Sequence, residues 1–209
     1  FHSQVKFSDV YTEGITKITA ADVNYAKEMG NVIKLIGIAR NTSNGIEAGV
    51  YPMMIDKKHP LATVRDSFNA VFVHGDAVGD TMFYGRGAGE LPTASAVVGD
   101  VMDVTRNIVW NCTGRIGWSA YKELPIKEFA DVKNRFFIRM QPGVLAAIAK
   151  VFGDHKVSIE RVIQEQAKAA KAELVIGTSA VKEYHLQDAL EELKEMPIVS
   201  EISSIIREY

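Results

Sequence analysis

Apolar residues follow two different rules along this chain, and the change falls in its second half. In "GVLAAIAKVF", Val144, Leu145, Ile148, Val151 and Phe152 recur at three- and four-residue steps and define one face of a helix. Leu186, Ala189, Leu190, Leu193 and Met196 repeat the pattern before Pro197 and predict a second helix. Four apolar or β-branched runs surround these helices: "RFFIRM", "KVSIERVIQ", "AELVIGTSA" and "IVSEISSII" each predict a strand. The order is βαββαβ, the ferredoxin-like arrangement of an antiparallel sheet with two helices on one face. "QAKAAKA", Gln166 to Ala172, reads as a polar, mobile hairpin connection.

The first half mixes helix and strand. Thr19, with Asp22 three residues later and Gly30 at the far end, carries the start and stop signals of a short helix over "TAADVNYAKEMG". "NVIKLIGIAR" and "GIEAGVYPMMI", separated by "NTSN", predict an antiparallel pair, with Pro52 at an edge or a bulge because it has no N–H for the ladder. "NAVFVHGD" and "TMFYG" predict a second pair around a turn at Asp76 to Gly79. The fold class is therefore α+β: a mixed or antiparallel sheet with helices over 1–109, a linker that partly packs over 110–133, and the βαββαβ domain over 134–209.

Composition narrows the function classes. The chain has 209 residues, 47% hydrophobic and 24% charged, enough for a sizeable core. A net charge of -2 and a pI near 6.2 give no electrostatic reason to expect nucleic acid or an anionic membrane as partner. No apolar stretch approaches the roughly 20 residues that span a bilayer. The start, "FHSQVKFSDV", has no signal-peptide pattern, so a cytoplasmic location is the expectation. Cys112 is the single cysteine, which excludes an internal disulfide and a multi-cysteine zinc site. The chain begins without methionine; Phe1 is expected to follow a cut, with parts of the function upstream of it.

The densest candidate chemistry lies in "MFYGRGAGELPTASAVVGD". Gly85, Gly87 and Gly89 precede a helix with Pro92 in its first turn. The dinucleotide fingerprint needs its third glycine where Glu90 stands, and the P-loop needs Gly-Lys-Ser/Thr where the chain has Glu90, Leu91 and Pro92. Both motifs fail. What remains is a glycine-rich turn before a positive helix end, open either to close backbone approach by a ligand or to plain tight packing.

The continuous pattern "VYTEGITKITAADVNYAKEMGNVIKLIGIAR", then "HPLA" and "NAVFVHGDAVGDTMFYGRGAGELPTASAVVGD", resembles the C-terminal half of the catalytic part of homoserine dehydrogenases. "KELPIK" and "QPGVLAAIAKVFGDHKVSIERVIQ" are similar to the interdomain joint and the ACT regulatory domain of the bacterial form. The resemblance covers nearly the whole chain. It implies a parent oxidoreductase that interconverts L-homoserine and L-aspartate 4-semialdehyde with NAD or NADP, in threonine and methionine biosynthesis. It also implies that the nucleotide-binding domain, the catalytic lysine, the substrate carboxylates and the family's cation site lie upstream of Phe1. No catalytic residue falls in this chain, which by itself is expected to be inactive. Gly89, with Gly85 and Gly87 shaping the turn, corresponds to the segment that folds over the nicotinamide cofactor. Glu13, in the tripeptide "TEG", is a support residue near the active centre.

In the ACT part the resemblance implies amino-acid effectors such as L-threonine near the loop after the first strand, at an interface between paired domains. Relatives carry an acidic residue shortly before Pro-Gly; here Gln141 precedes Pro142-Gly143. Without that carboxylate, effector binding is expected to weaken roughly ten- to a hundredfold, with Gly143, Val144 and Ile159 lining the pocket that remains. A homo-oligomer, at least a dimer, is expected. The rival reading is a stand-alone, non-enzymatic amino-acid-binding regulator.

Other polar residues read more plainly. His2, His59, His74, His155 and His185 have no metal-ligand spacing, so no metal is expected. Asp76 and Asp80 flank a turn, and Asp100 and Asp103 sit three apart on the polar side of a helix; all four are read as solvated.

Overall fold

A computed structural model describes residues 1–112, 122–141, 144–165 and 173–209. The connection at Gln166 to Ala172, the Pro142-Gly143 pair and part of the linker lie outside the described residues. Two compact units form: one from Ser3–Asp56 together with Lys122–Tyr209, the other beginning at Lys57 and described as far as Cys112. This grouping joins the start of the chain to the ACT-like part, whereas the sequence boundaries run consecutively.

In the first unit, β1 (Tyr11–Thr12) and α1 (Ala20–Glu28) precede a long hairpin of β2 (Asn31–Thr42) and β3 (Gly45–Asp56). The predicted capping box starts α1. Thr19 Oγ1 accepts from the Asp22 N–H, the Asp22 carboxylate accepts from the Thr19 N–H at 2.8 Å, and Gly30 turns the chain out at φ 75°. β2 pairs with all of β3, from Asn31 opposite Asp56 to Thr42 opposite Gly45.

Pro52 corrects its expectation. It lies inside β3, buried and opposite Leu35, at neither an edge nor a bulge. The Val50 carbonyl accepts from Glu13 N and the Met54 carbonyl from Tyr209 N, so even-numbered residues of β3 turn their polar groups away from β2. On that side β1 pairs parallel with Gly49 and Val50, and the last strand with Met53 and Met54. Pro52 occupies the gap between these short partners, where no ladder bond needs its missing N–H.

The βαββαβ order is present as β6 (Lys133–Met140), α3 (Leu145–Asp154), β7 (Ile159–Glu165), β8 (Glu173–Thr178), α4 (Glu183–Glu195) and β10 (Ile202–Glu208). The two-residue β9 (Val181–Lys182) pairs with the start of β6. The sheet order β10-β6-β8-β7 is antiparallel throughout, and β10 then joins β3, so both parts of the first unit share one eight-stranded sheet.

Alternate residues of β6 explain why "RFFIRM" reads as a continuous run. Phe136, Ile138 and Met140 pack with Ile148, Val151 and Phe152 of α3 and Leu186, Leu190 and Leu193 of α4. Phe137 faces the other way and packs with Tyr25 and Ala26 of α1, Met54 and Ile206. Helices thus cover both faces, the condition that removes the polar alternation of a half-exposed strand. Val144 and Leu145 depart from the predicted apolar face. Val144 is the N-cap of α3 and 60% exposed, and Leu145 is 39% exposed, because the buried face starts only at Ile148.

The second unit holds the hairpin β4 (Phe68–Gly75) and β5 (Gly79–Arg86), followed by α2 (Glu90–Val109). No residue of α2 is buried, and Val97, Val98, Val101, Val104 and Ile108 are each more than half exposed. Among the described residues no helix is long and apolar enough to cross a membrane.

Candidate functional site

The turn from β5 into α2 brings Gly85, Gly87 and Gly89 together, and each position tolerates a side chain differently. Gly85 sits opposite Asn69 at the end of the hairpin, with open space around an added Cβ. The Gly87 N–H donates to the Ser67 carbonyl at 3.0 Å, and a Cβ there would collide with the Asn69 side chain. Gly89 is the N-cap of α2 at φ 127°, a region that L side chains rarely adopt.

A glycine N-cap offers no side chain to the first-turn N–H groups of α2, so this positive helix end is uncapped. Arg86 projects from the same turn, lying 4.7 Å over the Phe68 ring and donating to Ser67 Oγ at 3.2 Å. Phe68 in turn stacks on Tyr84 at 4.8 Å. The arrangement suits the close approach of a polar or anionic ligand to backbone: space at Gly85 and a helix start with no side-chain cap.

Glu13 sits in a charged cluster with Arg207 and Tyr11. Its carboxylate accepts from Arg207 NH1 at 2.8 Å and from the Tyr11 hydroxyl at 3.1 Å. Arg207, on β10, also donates to Glu183 through Nε at 2.6 Å and NH2 at 3.0 Å, while Asn134 Nδ2 donates to Glu183 Oε1 at 2.8 Å. Burial acts to lower the pKa of this guanidinium, but its bonds to Glu183 and Glu13 outweigh that and hold it well above its ordinary value. Burial pushes the phenols of Tyr11 and Tyr51 up. A cleft of about 250 Å³ opens beside this cluster, lined by Tyr11, Phe129, Ala130, Glu183, Gln187 and Asp188, among others.

A second charged cluster lies on the opposite face of the sheet. Arg139 of β6 donates to Asp22 at 2.9 Å and Glu173 at 2.7 Å, and Ser204 Oγ donates to Asp22 at 2.6 Å. Burial acts to raise the Asp22 pKa, and the donors Arg139, Ser204 and Thr19 overcome it and hold the carboxyl below the usual range. Sequence reasoning found Asp22 as a capping residue and missed the rest. The available signal was charge inside apolar strands: Arg139 in "RFFIRM" and Arg207 in "ISSIIRE".

Of the effector residues, Gly143 lies outside the described residues. Val144 stands exposed at the start of α3, and Ile159 opens β7, partly buried against the core under the helices. Gln141 is engaged: its Nε2 donates to Glu201 Oε2 at 3.1 Å, and Ser200 Oγ donates to its Oε1 at 2.6 Å. A carboxylate, Glu201, therefore stands next to Gln141 at the end of β6.

Several of the other polar residues have local partners. His74 pairs with Asp80 at 2.6 Å, His155 with Glu192 at 2.7 Å, and His59 Nδ1 accepts from Leu61 N. Asn107 donates to Asp103 along α2. No group of three His, Cys, Asp or Glu among the described residues is arranged to hold a metal ion.

Residues 1–102 match the homoserine dehydrogenase family and residues 136–197 the ACT domain. A homoserine dehydrogenase of Corynebacterium glutamicum is 42% identical over 99% of the chain and 48% of its own length. One of Bacillus subtilis is 37% identical over 99% and 49%. The crystal structure of a homoserine dehydrogenase from Thiobacillus denitrificans superposes with a TM-score of 0.90 at 36% identity, over all of this chain and 49% of that one. The chain spans about half the length of the relatives it matches.

Proposed function

We propose that this homoserine dehydrogenase segment with its ACT domain is the C-terminal portion of a cytoplasmic oxidoreductase that interconverts L-homoserine and L-aspartate 4-semialdehyde. The carrying observation is the family match over residues 1–102, which includes the whole Gly85 to Gly89 turn. The second unit then supplies a backbone surface for the cofactor, NAD or NADP. Gly85 leaves room and the uncapped start of α2 offers N–H donors, so the residues fit such a group. When bound, the nicotinamide supplies the hydride acceptor. The chain's own part is to hold the cofactor's polar groups and shape the site, while the proton acceptor is contributed from upstream of Phe1. A stand-alone regulator is not favoured, since it would have no use for a dehydrogenase segment.

The ACT domain serves as an amino-acid-binding and oligomerising module, with L-threonine as candidate effector and a weakened site. Oligomerisation has support in the first unit from Leu35, 49% exposed on the long strand β2, whose outer edge has no partner strand among the described residues. Assay of the intact gene product decides the main reading. Homoserine-dependent reduction of NAD or NADP is expected from the intact protein and none above a blank from the 209-residue chain. An intact protein without that activity would overturn the proposal.

A further inference from the structure

β10 lies beyond both family matches, which end at residues 102 and 197, yet it is the strand that joins them. It pairs parallel with β3 on one side and antiparallel with β6 on the other. Its Arg207 sits between a carboxylate from each part: Glu13, behind β1, and Glu183, the first residue of α4. We infer that Arg207 is a positioning residue that makes the placement of the α4 start and of the Tyr11 to Glu13 segment a single variable, so that a ligand of the ACT domain acts on the dehydrogenase segment through β10.

Three observations support the link. The fork to Glu183 is bidentate, so the planar guanidinium follows that carboxylate when it moves instead of swivelling about one bond. Arg207 is 5% exposed, and the rings of Tyr51, Phe129, Tyr11 and Phe136 lie 4.7, 5.0, 5.4 and 5.9 Å from it, leaving water little access as a substitute partner. The adjacent cleft is lined both by Tyr11 and Phe129 and by Gln187 and Asp188 of α4, so the first turns of α4 border open volume. Action by an amino-acid effector rests on the reading proposed above; the mechanical link does not.

Hydrogen exchange in the intact protein tests both. The Glu13 N–H donates to the Val50 carbonyl and the Glu183 N–H to the Val132 carbonyl, so each amide reports one end of the joint. In the wild type the two are expected to open in one event with the same denaturant dependence; independent opening of Glu13 would overturn the link. Glu183→Gln, which changes a residue that does not bond Glu13, is expected to speed exchange at Glu13 at least fivefold while Phe137 and Ile138 stay within twofold. An unchanged Glu13 amide in the folded variant would also overturn it, and if that variant fails to fold the wild-type measurement decides alone. Saturating L-threonine is then expected to alter Glu13 exchange in the wild type and not in Arg207→Lys. An equal response in both would sink the relay, whereas no threonine response beside a positive Glu183→Gln result would remove the effector reading alone.

Discussion

Arg207 closes on Glu183 with two hydrogen bonds while its remaining nitrogen holds Glu13, so one buried guanidinium from the last strand bonds carboxylates from two distant stretches of chain. Arg207→Met is expected to destabilise the chain by about 3–5 kcal/mol, because removing one partner strands the others without water. Urea unfolding measures it, and a loss under about 1 kcal/mol would mean that the carboxylates find other partners.

Acid should weaken the fold through Asp22. Its folded-state pKa is depressed, so its contribution is fully present above the unfolded value of about 3.9 and is lost as pH falls through the lower folded value. Stability of the wild type is expected to fall along that limb below about pH 4. Asp22→Asn should be less stable at neutral pH and show a flatter acid limb; an identical limb in the variant would assign the acid sensitivity to other carboxylates.

The glycines of the β5–α2 turn separate backbone strain from ligand contact. Gly85→Ala is expected to leave stability within about 0.5 kcal/mol, since space is open there and φ is ordinary. Gly89→Val should cost about 1–3 kcal/mol from its positive φ, so a rise in cofactor KM there mixes two effects. In the intact protein the Gly85 variant is the cleaner probe. A raised KM for NAD or NADP with unchanged melting supports a ligand-facing turn, and an unchanged KM returns the turn to a structural role.

Calorimetric titration with L-threonine is expected to give a dissociation constant of the order of 100 μM or weaker, because an uncharged Gln141, not a carboxylate, precedes Pro142-Gly143. A low-micromolar value that is lost in Glu201→Gln would show that Glu201, already bonded to Gln141, has taken over the role.

Light scattering of the 209-residue chain at micromolar concentration should give at least twice the monomer mass. The second unit presents Val71, Phe83, Val101 and Ile108, each at least 59% exposed, to solvent or to a partner. A monomer mass would count against self-association through these faces.

The sequence by itself determined the elements and their order. The Thr19 and Asp22 box, the β2–β3 and β4–β5 hairpins, the start of α2 after Gly89 and the βαββαβ order all rest on local signals: caps, turn residues, period. The glycine turn was legible for the same reason, since its residues are contiguous. What only tertiary structure decided depends on residues far apart in the chain. Nothing local places Arg207 beside Glu13, 194 positions earlier, or Ser204 on Asp22, 182 positions earlier. The capping box could be read from spacing, but not that the same Asp22 would anchor Arg139. Pro52 shows the limit from the other side. Its missing N–H marks a break in pairing, and only the arrival of β1 and β10 at either end of that break makes an interior position as harmless as an edge.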